Sequence, residues 1–186
     1  IYPEPDTRQF DFGPLDKVME GACRPGHFNG VGQVVSRLLD IVKPDAAYFG
    51  EKDFQQLAII RNMVRQLNMP VRIEGCPIVR EADGLALSSR NRLLTPEHRA
   101  AAPLIHKALA AGPAQSGKRP VAEVRKLVEE TIASDPLLEV EYVSIVDNDT
   151  LQPVAQWTGA PLRVCVAVRA GAIRLIDNMD MSVKPE

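Results

Sequence analysis

Two short runs concentrate the residue types that grip phosphate. The first, Gly50-Glu51-Lys52-Asp53-Phe54-Gln55-Gln56-Leu57, follows the apolar segment Ala46-Ala47-Tyr48-Phe49 and opens an amphipathic pattern. That order reads as strand, tight turn and helix start, and such a turn presents free backbone N–H groups and the positive end of a helix. A lysine in the first turn opposes the helix dipole, so local stability does not account for Lys52, whereas an anionic ligand does. The second run, Gly84-Leu85-Ala86-Leu87-Ser88-Ser89-Arg90-Asn91, sets two hydroxyls, a guanidinium and an amide behind a short apolar stretch. Hydroxyls and a planar guanidinium suit phosphate oxygens, and a lysine adds a compact point charge. Lys52 and Arg90 therefore read as two jaws on a polyphosphate. Gln56 shares a helical face with Lys52, while Gln55 points about 100° away. Asp53 reads as a helix cap, a partner for Lys52 or a nucleotide contact.

These residues need elements to hold them. Residues 1–14, with Pro3 and Pro5, read as irregular, Leu15 to Met19 as a short helix, and the Gly- and Pro-containing stretch from Gly21 to Gly30 as a loop. From Gly30 the apolar residues Val31, Val34, Val35, Leu38, Leu39 and Val42 follow helical spacing, and Lys43-Pro44-Asp45 stops the pattern. Ala46 to Phe49 reads as a short buried strand, Asp53 to Leu67 as a helix with Leu57, Ile60, Met63, Val64 and Leu67 on its apolar side, and Pro70 to Gly75 as the next strand. Strand–helix–strand at this spacing implies a parallel pair with a right-handed crossover, and ligands bind beyond the carboxyl ends of such strands. Thr95-Pro96-Glu97 is a helix start, with Thr95 as the cap, and that helix is expected to run towards Ala111. A polar linker over 112–119, a helix over 121–133 and strands over 139–146, 162–169 and 173–176 complete the pattern. The expected fold is α/β: a parallel Rossmann-like portion over residues 1–88, then a small α+β domain with an antiparallel sheet over 89–186.

Composition narrows the function classes. The chain has 186 residues, 45% hydrophobic and 25% charged, which is ordinary globular usage with room for a core. A net charge of −2, with no Lys/Arg block, argues against nucleic acid as a partner. No apolar run approaches a membrane span, and no signal peptide is visible. Cys23, Cys76 and Cys165 are three, far apart and without metal-ligand spacing, so they read as free thiols in a reducing cytoplasm. No resident metal site is expected; Mg²⁺ would arrive with a nucleotide.

Four segments in this order resemble one family. They are Glu20-Gly21-Ala22-Cys23-Arg24-Pro25-Gly26-His27-Phe28, the run 50–57, Cys76-Pro77-Ile78-Val79-Arg80, and Asp83 through Asn91. Together they resemble the pantoate–β-alanine ligases, cytoplasmic enzymes of the class I nucleotidyltransferase-like superfamily, over residues 1 to about 180. The resemblance implies ATP-dependent condensation of pantoate with β-alanine through a pantoyl adenylate, releasing AMP and pyrophosphate. It implies ATP contacts at Gly50, Glu51, Lys52, Asp53, Val79, Leu87, Ser88, Ser89 and Arg90. Of these, Lys52, Ser88 and Arg90 are the expected catalytic residues, Lys52 for charge stabilisation, while Val79 and Leu87 act through their main chains. It puts pantoate on Gln56, and Arg24 and His27 in a loop facing the active site. For Ser89 and Asn91 a capping turn is the competing role; His98 and His106 are expected to face solvent or a domain contact. The family also carries a His-x-Gly-His signature that binds ATP and supplies a catalytic histidine. The histidines here, His27, His98 and His106, are scattered and form no such signature. The resemblance thus implies a C-terminal portion, with activity belonging to the complete enzyme. Half of a parallel sheet exposes a strand edge and apolar surface, so the isolated fragment is expected to dimerise or swap domains, and a homodimer is expected. The alternatives are a non-catalytic nucleotide-binding or dimerising fragment and a different nucleotidyltransferase.

Overall fold

The computed structural model describes residues 2–182. The chain divides into two compact units, Ile1–Pro77 and Ile78–Glu186. This division falls upstream of the expected boundary between 88 and 89. Residues 80–86 are tied into the second unit by the Arg80–Asp177 ion pair and the Arg80/Ala86 bridge.

In the first unit the order is a 3-10 turn over Gly13–Asp16, α1 (Met19–Cys23), α2 (His27–Val42), β1 (Ala46–Gly50), a second 3-10 turn over Glu51–Asp53, α3 (Phe54–Gln66) and β2 (Arg72–Cys76). Strands β1 and β2 pair in parallel, from Ala46 opposite Arg72 to Gly50 opposite Cys76. The expected strand–helix–strand unit is therefore present, with α3 as the crossover. Its apolar side is buried: Leu57, Ile59, Ile60, Met63 and Val64 are all at most 8% exposed.

Three expectations here are corrected. β1 is not a buried strand, because Tyr48 is 69% exposed and Gly50 is open. With α3 as the crossover only one face of the pair is packed. Helix α2 begins at His27 rather than Gly30, because Gly26 takes a left-handed φ of 79° and turns the chain straight into the helix. And α2 buries only part of the expected stripe: Leu39 is buried and Val31 and Val35 are half-buried, but Val34, Leu38 and Val42 are exposed, together with Ile41. The helix packs instead through Phe28, Gly32, Ser36 and Leu39. Gly32 is needed there, since a Cβ would lie 2.8 Å from the Phe10 ring. Small residues let a bulky neighbour in, so the buried face is not the most hydrophobic one.

The second unit holds a 3-10 turn over Ser89–Leu93, α4 (Pro96–Ala101), α5 (Pro103–Gln115), α6 (Val121–Ala133), β3 (Leu138–Asp147), β4 (Leu162–Ala170) and β5 (Ile173–Asp180). The three strands form an antiparallel sheet in the order β3-β4-β5. The core joins α4, α5 and α6 to that sheet through Ala101, Ile105, Leu109, Val124, Val128, Val164 and Val168. Thr95 caps α4, its hydroxyl accepting from the His98 N–H at 3.4 Å, and Pro96 takes the first helical position. The single helix expected towards Ala111 is two, because Pro103 restarts it, and α5 runs to Gln115, into the expected linker.

Candidate active site

The turn that leaves β1 lies at the carboxyl end of the parallel pair. Gly50 is still in the sheet, and Glu51, Lys52 and Asp53 form the 3-10 turn that feeds α3. Glu51 packs close beneath: a Cβ on Gly75 of β2 would meet its carboxylate at 3.1 Å. Lys52 is mostly covered, with 22% of its side chain exposed, and its Nζ lies 3.1 Å from Asp53 Oδ2. Asp53 makes no capping bond to α3, so of its expected roles the pairing with Lys52 is realised and the cap is not. A covered ammonium held by a half-exposed carboxylate can exchange that partner for a phosphate oxygen.

Arg24 and His27 flank the short link between α1 and α2. Arg24 Nη1 lies 3.1 Å from His27 Nε2. Arginine only donates, so His27 accepts at Nε2 and carries its proton on Nδ1. Partial burial, then the Arg24 charge, push the His27 pKa below its ordinary value, while Glu20 and Asp53 pull it back up. His27 thus shares an electrostatic neighbourhood with the Lys52–Asp53 turn and is a neutral acceptor near pH 7.

The two glutamines of α3 divide as geometry demands. Gln56 is partly buried, and its side chain makes no hydrogen bond among the described residues. Gln55 is 5% exposed. Its Oε1 accepts from the Glu20 N–H at 2.9 Å, and its Nε2 donates to the Leu15 and Val18 carbonyls at 2.7 and 2.9 Å. The buried amide bonding backbone is therefore Gln55, which fixes α1 and so the Arg24–His27 link. Sequence reasoning missed that role, although its offset from Gln56 on the helix was the available signal.

In the second unit, residues 79–87 form a hairpin. Leu87 N–H donates to the Val79 carbonyl at 2.9 Å, Glu81 N–H to the Leu85 carbonyl at 2.8 Å, and Arg80 bridges Ala86. Val79 and Leu87 are thus brought together by their main chains, with side chains 65% and 56% exposed. The hairpin turns at Gly84, whose φ is 90° and where a Cβ would lie 2.1 Å from the His106 ring. His106 is therefore packed against the hairpin rather than facing solvent, because only glycine there leaves room for the ring. Its Nδ1 is buried without a partner, and burial, then Arg80, push its pKa below the ordinary value. His98 is likewise partly covered, its ring against Gly171 and its Nδ1 2.7 Å from Thr95 Oγ1.

Ser88 opens the next turn. Its hydroxyl accepts from Arg90 N–H at 3.2 Å, so the capping role expected of Ser89 or Asn91 belongs to Ser88. Ser89 and Arg90 are exposed, and the Arg90 guanidinium donates from Nη1 to the Arg174 carbonyl at 3.3 Å. Among the described residues no group of three or more His, Cys, Asp or Glu side chains is arranged to hold a metal ion. No helix among them is long and apolar enough to cross a membrane.

A parallel strand–helix–strand unit with Lys52 in the turn at its carboxyl end, and a separate antiparallel α+β unit, define an α/β protein. The chain belongs to the pantoate-beta-alanine ligase family, whose model matches residues 1–180. The pantothenate synthetase of Bacteroides thetaiotaomicron is 56% identical over 180 residues, covering 96% of this chain and 64% of that protein. The crystal structure of pantothenate synthetase from Thermus thermophilus superposes with a TM-score of 0.92 at 47% identity, covering 98% of this chain and 66% of that one. The structure of pantoate-beta-alanine ligase from Francisella tularensis complexed with beta-gamma ATP and beta-alanine matches at 30% identity and a TM-score of 0.74, covering 100% of this chain and 62% of that one. This chain therefore spans 64% of the length of the Bacteroides relative.

Proposed function

We propose that this chain contributes to an ATP-dependent pantoate–β-alanine ligase. Pantoate carboxylate attacks the α-phosphorus of ATP, a P–O bond forms, and the bond to the β-phosphate breaks with release of pyrophosphate. The β-alanine amine then attacks the acyl carbon of the pantoyl adenylate, a C–N bond forms, AMP leaves and the nitrogen loses a proton. Both steps shift negative charge onto phosphate oxygens, so positioning and fixed positive charge do most of the catalysis. Lys52 stabilises the phosphate charge from the turn after β1, within an ATP-binding stretch of Gly50, Glu51, Lys52 and Asp53. Ser88, Ser89 and Arg90 bind the polyphosphate, with Val79 and Leu87 contacting the nucleotide through their main chains. Gln56 holds pantoate, its amide having no partner among the described residues. Arg24 and His27 border the substrate. Mg²⁺ travels with the nucleotide and keeps several of its waters.

The observation that carries the reading is Lys52 itself, a mostly covered ammonium at the carboxyl end of a parallel strand in a member of this ligase family. Pantoate-dependent exchange of pyrophosphate into ATP, measured on the full-length form, tests it. Loss of exchange in Lys52→Ala supports the reading, and exchange that ignores pantoate refutes it. Calorimetric titration of the 186-residue chain with Mg·ATP, with Arg90→Ala as control, separates a chain that binds nucleotide by itself from one that does not. We place the protein in the cytoplasm, as three free cysteines suggest. We also propose a homodimer, consistent with the exposed Val34, Leu38, Ile41 and Val42 on α2; sedimentation checks it.

A further inference from the structure

The loop presenting Leu87, Ser88 and Arg90 is anchored from behind by a polar network that the proposed chemistry does not use. Arg80 makes two bonds to the Asp177 carboxylate, at 2.7 and 3.0 Å, and a third to the Gly84 carbonyl at 3.0 Å. Arg99 spans Glu81 at 2.7 Å and Asp83 at 2.6 Å. At its centre is Asn91, 7% exposed. Its Nδ2 donates to Glu81 Oε1 at 2.6 Å and to the Ala86 carbonyl at 3.0 Å. Its own N–H donates to the Ser88 carbonyl at 3.1 Å.

Both groups facing the Asn91 side chain are pure acceptors, a carboxylate and a carbonyl. Only an NH₂ end serves both, so the orientation of the amide is determined and an aspartate cannot substitute. One buried side chain thus joins the hairpin strand at Ala86, the opposite strand at Glu81 and the turn that begins at Ser88. The bond from Asn91 also helps hold Glu81 ionised: Asn91, then Arg99, push its pKa below the ordinary value. The ionised carboxylate in turn keeps Arg99 in place.

We infer that Asn91 is a positioning residue that sets the direction in which Ser88 and Arg90 meet the phosphates, acting through Glu81 and Ala86 rather than by touching substrate. The phosphate role rests on the ligase reading; the geometric role does not. A misplaced phosphate-binding loop costs rate, whereas a merely structural asparagine costs stability.

The test compares Asn91→Asp, Glu81→Gln and the double variant in the full-length form, with kcat expressed per folded molecule well below the unfolding transition. Asn91→Asp lowers kcat for pantoate-dependent exchange about 10²-fold, the scale of a small displacement of a positioned group, and leaves KM for pantoate nearly unchanged. The double variant reverses the donor–acceptor polarity of the pair and restores about tenfold of the loss, a coupling that a double-mutant cycle reads directly. A kcat within about twofold of the parent, or no recovery in the double variant, overturns the inference. Glu81→Gln alone, at a partly exposed position that tolerates the change, lowers kcat about fivefold and serves if Asn91→Asp fails to fold. Amide hydrogen exchange at Arg90, whose N–H is held by the Ser88 hydroxyl, is the readout independent of ligase activity. It accelerates about tenfold in Asn91→Asp if the amide holds the loop, and is unchanged if it does not. A parent lacking pantoate-dependent exchange removes the ligase reading and leaves that readout to decide the inference.

Discussion

The turn after β1 and the hairpin before the 3-10 turn at Ser89 both carry cations proposed for phosphate, yet they are built in opposite ways. In the first, Lys52 pairs with its neighbour Asp53 in sequence, and that carboxylate is 44% exposed. The backbone provides the geometry there, through the parallel register of β1 with β2. In the second, side chains do most of the holding: Arg80 reaches Asp177, Arg99 reaches Glu81 and Asp83, and Asn91 bonds the nearby Ala86 carbonyl. A site on a strand end is positioned by the fold itself, whereas a site on a loop needs its own polar scaffold.

That contrast is broken most sharply at the loop scaffold. Arg80→Ala leaves the Asp177 carboxylate, whose side chain is 3% exposed, without its cation. Removing one partner of a buried pair costs about 3–5 kcal/mol, so the denaturant midpoint of the second unit should drop steeply. A change below about 1 kcal/mol would show that the pair is solvated and the scaffold unimportant. At the strand-end turn the expectation reverses. Lys52→Ala should cost within about 0.5 kcal/mol of stability, since its partner is already hydrated. It should nonetheless lower adenylate formation about 10²–10³-fold while pantoate binding changes far less. Equal losses in both would remove the charge role.

The adjacent glutamines of α3 sharpen the comparison within one turn of helix. Gln55→Ala strands three backbone groups in the interior and should cost about 2–3 kcal/mol. Gln56→Ala should leave the unfolding midpoint within about 0.5 kcal/mol and appear as a raised KM for pantoate. If the two substitutions shift stability alike, the division between a structural and a binding amide fails.

How much of this was legible in the sequence follows the same divide. The strand–turn–helix around Lys52, the cap at Thr95 and the three antiparallel strands follow from local signals: periodicity, a capping hydroxyl before proline, and turn residues between β-branched runs. The buried face of α2 was not legible, because Gly32 and Ser36 carry no hydrophobic signal, and Gly32 is buried where Phe10 enters beside it. The break at Pro103 competes with an uninterrupted helical pattern and is settled by proline geometry. The candidate site residues were named by type and by family resemblance. Their holders were not, since Arg80 and Asp177 are charged residues far apart in sequence whose pairing is a tertiary fact. Asn91, next to Arg90, reads as one more turn residue until its amide is seen between two acceptors.

The smallest expected effect concerns pH and again separates the two regions. His106, packed on the hairpin, and His27, beside the strand-end turn, both have pKa values below the ordinary histidine range, mainly through burial. A lowered folded-state pKa means that the unfolded chain binds more protons in the interval between the two values. Stability from each is then complete above about pH 6.5 and is lost as pH falls through the lowered value. For Glu81 and Asp83 the shift is also downward, caused first by the Asn91 and Arg99 bonds respectively, so their contribution is lost only in the more acidic carboxylate range. The two windows are therefore separable by urea midpoints taken across the pH scale. His106→Gln should flatten the histidine window in the second unit and leave the carboxylate window unchanged, because the ring packs on Gly84 and not on Glu81. His27→Gln should flatten the corresponding window in the first unit, where Arg24 adds to the shift and Asp53 opposes it. A histidine window that survives both substitutions would mean that neither ring is desolvated by the packing described. The scaffold of the hairpin would then be set by its ion pairs alone.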